Sequence, residues 1–211
     1  MDRSAANGQE GVQATYIQIN PRSGQADAVI AANYLTEVRT AAVSAVATRY
    51  FARQDAATLG VFGTGWQARA HILVLNEVHR FERVLVCGSS VTKSVQFARE
   101  YSGRCGIAIE GVDSKEGAAE SDVLCTYTTS KVPLFDGRLV RQGTHLNLVG
   151  TYQPDAAEVD EYVIRWSRIV VENPESTFAE AGDLMIWLRK GLIDRANNRG
   201  RSARDCHGER R

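Results

Sequence analysis

An apolar run leads into a glycine-rich turn and then into a helical pattern at residues 58–71. The sequence there reads TLGVFGTGWQARAH, in which Gly63, Gly65 and Ala68 have the spacing GxGxxA. Gly63 suits a tight turn, Gly65 lets the backbone approach a pyrophosphate, and Ala68 permits close helix–strand packing. Phosphates would lie at the helix N-terminus, where free N–H groups and the helix dipole favour negative charge. The stretch predicts a dinucleotide-binding turn, the alternative being a glycine turn in an α/β domain that binds no nucleotide.

Further strand-like segments follow this turn, each separated from the next by a helical or loop-like pattern. These near-continuous apolar runs lie at 83–88, 106–112, 122–127, 145–150 and 168–173. Such strands are typical of a parallel sheet that helices cover on both faces. The intervening helices are predicted near 67–78, 92–102 and 114–120. We therefore predict an α/β fold with a Rossmann-type doubly wound parallel sheet.

The region before the glycine turn predicts a hairpin followed by a long helix. Residues 14–19 alternate like a strand, a turn begins at Pro21, and 28–31 form the candidate returning strand. Thr36 is the predicted N-cap of a helix that extends through Ala52.

Arg39 is expected in the first turn of this helix. A guanidinium at that place is suited to binding a carboxylate. The alternative is a solvated or structural arginine, and the spacing alone favours that alternative.

The end of the second predicted strand bears on the choice of cofactor. An NAD site usually carries Asp or Glu there, which accepts a hydrogen bond from the ribose. Here Gly88, Ser89 and Ser90 end the strand, and Lys93 lies just beyond. Hydroxyl groups with a cation suit a 2′-phosphate, so NADP is favoured over NAD. The alternative is that they are ordinary turn residues and a solvated charge.

Hydroxyl-bearing residues also end the fourth predicted strand, at Thr126 and Thr128. In an open parallel sheet, ligands lie beyond the carboxyl ends of the strands. These hydroxyls can therefore bond the cofactor, or they can make ordinary turns. Gly150, which follows Val149 at the end of the fifth strand, is expected to approach the nicotinamide.

Composition argues against several other classes of protein. The chain has 25 Lys+Arg and 25 Asp+Glu, and this balance disfavours a large surface for nucleic acid or anionic membrane. No apolar run reaches the ~20 residues of a membrane span. The 4 cysteines form no CxxC pair and the 4 histidines lack ligand spacing, so no metal site is predicted. We expect a cytoplasmic protein.

Several motifs occur in an order that resembles the ornithine cyclodeaminase/mu-crystallin family. They are SG at 23–24, LTEVRTAA at 35–42, GTGWQA at 63–68, GTHLNLVG at 143–150, EVD at 158–160 and EAGDL at 180–184. The family implies a subunit with a Rossmann domain and a mixed α/β outer domain that forms a homodimer. Its shared chemistry is hydride exchange between a nicotinamide and the carbon of a small amino or imino acid.

The resemblance implies roles for particular residues. Arg39 would bind the substrate carboxylate, and Thr40 beside it is assigned to the cofactor. The other residues assigned to the cofactor are Gly63, Thr64, Gly65, Trp66, Gln67, Ser89, Ser90, Lys93, Thr126, Thr128, Val149 and Gly150. The implied reaction is that of a ketimine reductase using NADPH, with NAD as the alternative cofactor.

Two departures from the family pattern bear on these expectations. Tyr152 stands where cyclodeaminases carry an aspartate, which disfavours ring-closing ornithine deamination. The family's outer domain and catalytic lysine normally precede the region around Ala14, whereas the first lysine here is Lys93. We therefore expect a chain truncated at both ends and impaired in activity. The alternatives are a mu-crystallin-like protein that binds NADPH or a small ligand without turnover, and an ornithine cyclodeaminase.

The expected organisation has a remnant of the outer domain and a connecting helix at 1–52. A Rossmann domain at 53–175 and a returning helix at 176–194 follow. The arginine-rich stretch 195–211 is expected to be disordered, with a basic nucleic-acid tail as the alternative.

Overall fold

The computed structural model describes residues 13–193 and 201–202. Its first elements are the antiparallel strands β1 (Thr15–Ile19) and β2 (Ala26–Ala31). The turn between them closes at Asn20, whose side-chain oxygen accepts hydrogen bonds from two backbone amides of the turn. The predicted hairpin is confirmed.

A long helix, α1 (Asn33–Phe51), begins earlier than the sequence predicts. Ala32 occupies the N-cap position without a side-chain cap, and the Asn33 side chain instead accepts a hydrogen bond from the backbone just before β1. Thr36 lies inside the helix, where its hydroxyl donates to the Ala32 carbonyl at 2.9 Å. The prediction of Thr36 as N-cap was wrong, and Arg39 consequently lies in the second helical turn.

Within the described part of the chain, the central sheet has 5 parallel strands. They are β3 (Thr58–Phe62), β4 (Arg83–Cys87), β5 (Ile109–Gly111), β6 (Val123–Thr126) and β7 (His145–Leu148). Their order across the sheet is β5-β4-β3-β6-β7, so the direction of succession reverses at β3. This is the strand order of a doubly wound α/β fold, as predicted.

Helices cover both faces of the sheet. They are α2 (Trp66–Val78), α3 (Val91–Cys105), α4 (Ser114–Glu120), α5 (Glu161–Trp166), α6 (Pro174–Glu180) and α7 (Gly182–Arg189). Successive strand residues point to opposite faces. Val84 and Val86 belong to the apolar layer beneath α2 and α3, whereas Leu85 and Cys87 belong to the layer beneath α4, α5 and α7. Burial on both faces explains the near-continuous apolar runs of the sequence.

The sixth predicted strand, at 168–173, does not belong to the central sheet. Only Val170–Val171 forms a strand there (β8), and it pairs in parallel with β9 (Arg201–Ser202). Two residues after this strand, the Asn173 side chain caps α6. Where the sequence predicts one returning helix over 176–194, the described part contains the end of α6 and all of α7.

The predicted disordered stretch, and the basic nucleic-acid tail that is its alternative, fall at the end of the chain. Apart from 201–202, the stretch 195–211 lies outside the described residues. Among the residues that are described, no helix combines the length and the apolar character needed to cross a membrane.

The hairpin and one side of α1 expose large apolar side chains. They are Tyr16, Ile17, Ile19, Val29 and Ile30 on the hairpin, and Leu35, Val43, Val46 and Tyr50 on the helix. The four helical residues recur at helical spacing, so they lie along one stripe that also includes Arg39. We call this stripe the apolar α1 face.

Candidate functional site

The glycine turn after β3 requires glycine at its first position. Gly63 has φ +124°, and a Cβ placed there would lie 2.9 Å from the Tyr127 carbonyl oxygen. The Gly63 amide donates to the Cys87 carbonyl at 2.9 Å. The turn is therefore held between the carboxyl ends of β4 and β6, at the point where the strand order reverses.

The N-terminus of α2 is open above this turn. Gly65 is its N-cap; among the described residues, no side chain caps the helix and no atom would lie within 4 Å of a Cβ at Gly65. The first N–H groups of a helix lack intrahelical partners. Trp66 is exposed beside them, with the Arg69 guanidinium carbon 4.4 Å from its ring centroid. Gln67 has a buried side-chain oxygen without a hydrogen-bond partner in the described structure.

These features fit a nucleotide phosphate. Backbone N–H groups and a helix dipole can receive negative charge, and the absence of a Cβ at Gly65 leaves room for close approach. Thr64, between the two glycines, is half-buried, and its methyl carbon would lie 3.0 Å from a Cβ placed at Gly88.

The residues after β4 lie on the same edge of the sheet and at its surface. Ser89, Ser90 and Lys93 are all exposed. The Ser90 hydroxyl accepts a hydrogen bond from the Lys93 amide at 3.3 Å, which makes Ser90 the N-cap of α3. The turn chemistry that the sequence left open is therefore present for Ser90.

The two hydroxyls at the end of β6 differ, because only that of Thr128 has hydrogen-bond partners among the described residues. Thr126 is fully buried. The Thr128 hydroxyl donates to the Glu158 carboxylate at 2.6 Å and accepts from the Ser130 amide at 3.1 Å. Val149, after β7, donates its amide to the Thr126 carbonyl at 3.2 Å. The structure brings these residues to the edge that carries the glycine turn, and it buries the Thr126 side chain there with no hydrogen-bond partner for its hydroxyl among the described residues.

Two buried acids behind these loops had no role in the sequence analysis. Glu158 and Asp183 are 0% and 3% exposed. Burial raises the pKa of Glu158, opposed by hydrogen bonds that include those from Thr128. Burial also raises the pKa of Asp183. Glu158 belongs to the EVD motif and Asp183 to the EAGDL motif, but the sequence alone does not show which residues they contact.

A buried histidine of α2, His71, connects this helix to α1. His71 Nδ1 lies 2.8 Å from the Gln67 carbonyl oxygen, and Nε2 lies 3.1 Å from the Ser44 hydroxyl of α1. Because a carbonyl only accepts, Nδ1 carries the proton and Nε2 accepts from Ser44. The imidazole also lies 4.0 Å from the Tyr127 ring, centroid to centroid. Burial lowers the pKa of His71 to about 4.

The first half of α1 approaches the same edge of the sheet. Glu37 is buried and forms an ion pair with Arg69 in the first turns of α2, at 3.4 Å. Arg39 is exposed on the apolar α1 face, one turn from Thr36. The Thr40 hydroxyl donates to the Thr36 carbonyl at 2.7 Å, so it is already bonded within the helix.

Among the described residues, no group of three or more His, Cys, Asp or Glu side chains is arranged to hold a metal ion. This edge of the sheet carries a helix N-terminus that is suited to binding an anion. Two loops that follow strands of the sheet lie beside it. Such an arrangement can hold a dinucleotide across the reversal point of the sheet.

The ornithine cyclodeaminase/mu-crystallin family model matches residues 1–197 of the chain. Among curated proteins, the chain is 32% identical over 190 residues to a Δ1-pyrroline-2-carboxylate reductase of Bacillus cereus. That alignment covers 89% of this chain and 56% of the relative. The chain is also 30% identical over 174 residues to the ketimine reductase mu-crystallin of Rattus norvegicus, covering 82% of this chain and 55% of the relative.

A solved structure resembles the chain across most of its length. It is the Thermococcus litoralis Δ1-pyrroline-2-carboxylate reductase in complex with NADH and L-proline, which is 36% identical with a TM-score of 0.87. The similarity covers 91% of this chain and 60% of that one. The chain therefore spans somewhat more than half the length of the proteins it resembles.

Proposed function

The chain belongs to the ornithine cyclodeaminase/mu-crystallin family, and we propose that it serves an NAD(P)-dependent imine reductase reaction. The substrate class is a small imino acid such as a cyclic ketimine carboxylate. The observation that carries the proposal is the open N-terminus of α2, with glycine required at 63 and free approach at Gly65. The NADH complex of the Thermococcus litoralis relative supports a nicotinamide cofactor.

The proposed binding mode follows from the strand order. The glycine turn and the first N–H groups of α2 receive the pyrophosphate. The half of the sheet with β4 and β5 receives the adenosine, and the half with β6 and β7 receives the nicotinamide riboside. A nicotinamide bound there supplies a hydride for the imine carbon. Arg39, whose side chain is exposed, is proposed to hold the substrate carboxylate, as the resemblance to the family implies.

A fluorescence titration with NADH and NADPH tests the proposal. Saturable binding of either nucleotide is expected, followed by oxidation of the bound nucleotide when Δ1-pyrroline-2-carboxylate is added. Saturable binding without turnover would leave a cofactor-binding protein and would contradict the proposed reaction. Binding of neither nucleotide would contradict the site itself.

We further propose that NADPH binds more tightly than NADH, because the exposed Lys93 lies beside the end of β4. Lys93→Ala is expected to weaken NADPH binding about fivefold, the range of one exposed charge pair. NADH binding should stay unchanged. Arg104→Ala, which removes an exposed cation at the opposite end of the same helix, is the matched control and should alter neither affinity. Equal affinities of the wild type for both nucleotides would contradict the assignment.

The homodimer implied by the family is also a proposal for this chain. Contiguous exposed apolar surface marks interaction sites, and the apolar α1 face provides such a surface. Sedimentation equilibrium of the wild type should show a dimer whose dissociation constant rises at least about tenfold in Val46→Glu. Val46 is 57% exposed, so the substitution should leave folding intact. A wild-type monomer at all concentrations would contradict the proposal.

A further inference from the structure

Two buried carboxylates connect the loops that follow β6 and β7. One belongs to Glu158, in the loop before α5, and the other to Asp183, in the first turn of α7. No ion pair to Arg, Lys or His is found for either acid within the described residues. Backbone and hydroxyl donors therefore compensate their burial, and the identity of those donors shows what the acids position.

The Glu158 carboxylate bridges the two loops directly. Its Oε1 accepts from the Thr128 amide and from the Thr128 hydroxyl, both at 2.6 Å. Its Oε2 accepts from the Gly150 amide at 3.0 Å. Thr128 follows β6 and Gly150 follows β7, so a single side chain joins the two loops just beyond the paired strand ends.

Asp183 holds Glu158 in place from the other side. Its Oδ1 accepts from the Glu158 amide at 2.7 Å and from the Val159 amide at 3.1 Å. Its other oxygen accepts from the Thr151 hydroxyl. Asp183 thus fixes the backbone that presents Glu158 and also the loop after β7.

Close packing leaves this arrangement little freedom. A Cβ at Gly150 would lie 2.3 Å from Glu158 Oε2, so glycine is needed where the carboxylate meets the backbone. A Cβ at Gly182 would lie 1.8 Å from the Ala156 carbonyl oxygen. The start of α7 is therefore pressed against the segment that carries Glu158.

Resting on the proposed function, we propose that Glu158, held by Asp183, is a positioning residue for the nicotinamide half of the site. It fixes the loops 127–130 and 149–151 at the distance that receives the nicotinamide riboside. The glycine turn, which receives the phosphates, is held by the Cys87 carbonyl at the end of β4, which is not among the hydrogen-bond partners of Glu158. Loss of Glu158 consequently acts on one half of the dinucleotide only.

Glu158→Gln tests this because the amide keeps the shape but replaces one acceptor oxygen with an NH₂ donor. In either orientation the NH₂ faces an N–H of Thr128 or Gly150, and one side of the bridge is lost. NADH should bind about tenfold more weakly, as expected for losing a hydrogen bond to a charged group. ADP, which carries the adenosine and the phosphates alone, should bind within about twofold of the wild type. Asp183→Asn should show the same selective loss.

Asp160→Asn is the matched control. Asp160 is another acid that receives backbone amides, from Val163 at 3.1 Å and Gly137 at 2.8 Å, but it contacts neither loop. It should lower the melting temperature without changing the ratio of NADH to ADP affinity. If Glu158→Gln does not fold, Thr128→Val, which removes only the hydroxyl donor, should reduce NADH affinity about threefold and spare ADP.

The outcomes separate this inference from the proposed function. A wild type that binds neither NADH nor ADP contradicts the proposed function. A wild type that binds both, with variants that lose both ligands equally or retain NADH fully, overturns the positioning role of Glu158. Selective loss of NADH in the folded variants supports it.

Discussion

Gly65→Asp is expected to raise the Kd for NADH at least about hundredfold while the folded protein keeps its stability. A carboxylate at the N-cap would stand where the proposed site places phosphate, and repulsion between charges at about 4 Å amounts to several kcal/mol near a protein surface. The fold should tolerate the change because no atom lies within 4 Å of the new Cβ and φ is −93°. Asp is also a favoured N-cap residue. Isothermal titration calorimetry with NADH, with a thermal melt of the unliganded protein, measures both effects.

Gly103→Asp provides the control for this experiment. Gly103 lies near the end of α3, and a Cβ there would also meet no atom within 4 Å. The variant carries the same added charge away from the site and should bind NADH as the wild type does. If Gly65→Asp retains wild-type affinity, the phosphates do not lie at the N-terminus of α2, and the proposed binding mode fails.

The glycine turn was predictable because its signal is local. Strand, turn and helix each follow from residues within 58–71, and the φ of Gly63 needs glycine whatever surrounds it. The parallel sheet was predictable for a related reason, since strands buried on both faces must be apolar throughout. A local signal predicts the wrong helix start where a neighbouring residue begins the helix instead. Thr36 has the chemistry of an N-cap, yet Asn33 starts the helix earlier.

The buried polar contacts could not be derived from the sequence. From the sequence alone, Glu158 would be assigned to the surface. Only the folded chain shows that its carboxylate accepts hydrogen bonds from backbone amides 30 residues and 8 residues away. Thr126 and Thr128 show the converse. Their position at a strand end was correctly expected, but burial of Thr126 and the bond from Thr128 to Glu158 depend on tertiary packing. The same holds for His71, whose partner Ser44 lies on a different helix.

His71 is expected to make the protein acid-sensitive in a window that opens above the range of ordinary carboxylates. Burial lowers its pKa to about 4 in the folded chain, whereas an exposed histidine titrates near 6.5. At a pH between these two values, His71 is protonated in the unfolded chain and neutral in the folded chain. The stabilising contribution is therefore complete above about pH 6.5 and is lost as the pH falls towards 4. Its size is roughly 3 kcal/mol, from 1.36 kcal/mol for each pKa unit.

Other buried groups add to the pH dependence, so a variant is needed to isolate His71. Burial lowers the pKa of His145, which acts in the same direction. The raised pKa values of Glu158 and Asp183 act in the opposite direction, because their protonation relieves the cost of burying charge as the pH falls. The difference between the wild type and a His71 variant cancels these contributions.

His71→Gln should therefore lose most of its disadvantage on acidification. At pH 7.5 it is expected to be less stable than the wild type by about 2 kcal/mol, since Ser44 and the Gln67 carbonyl lose their buried partner. Urea unfolding at pH 7.5, 6.0, 5.0 and 4.5 should show the two stability curves converging, meeting at about pH 5 and crossing below it, because only the wild type must protonate a buried histidine. Leu75→Val, a fully buried and non-titrating change on the same helix, should cost about 1 kcal/mol at every pH. A constant gap between His71→Gln and the wild type would mean that His71 titrates alike in the folded and unfolded chains.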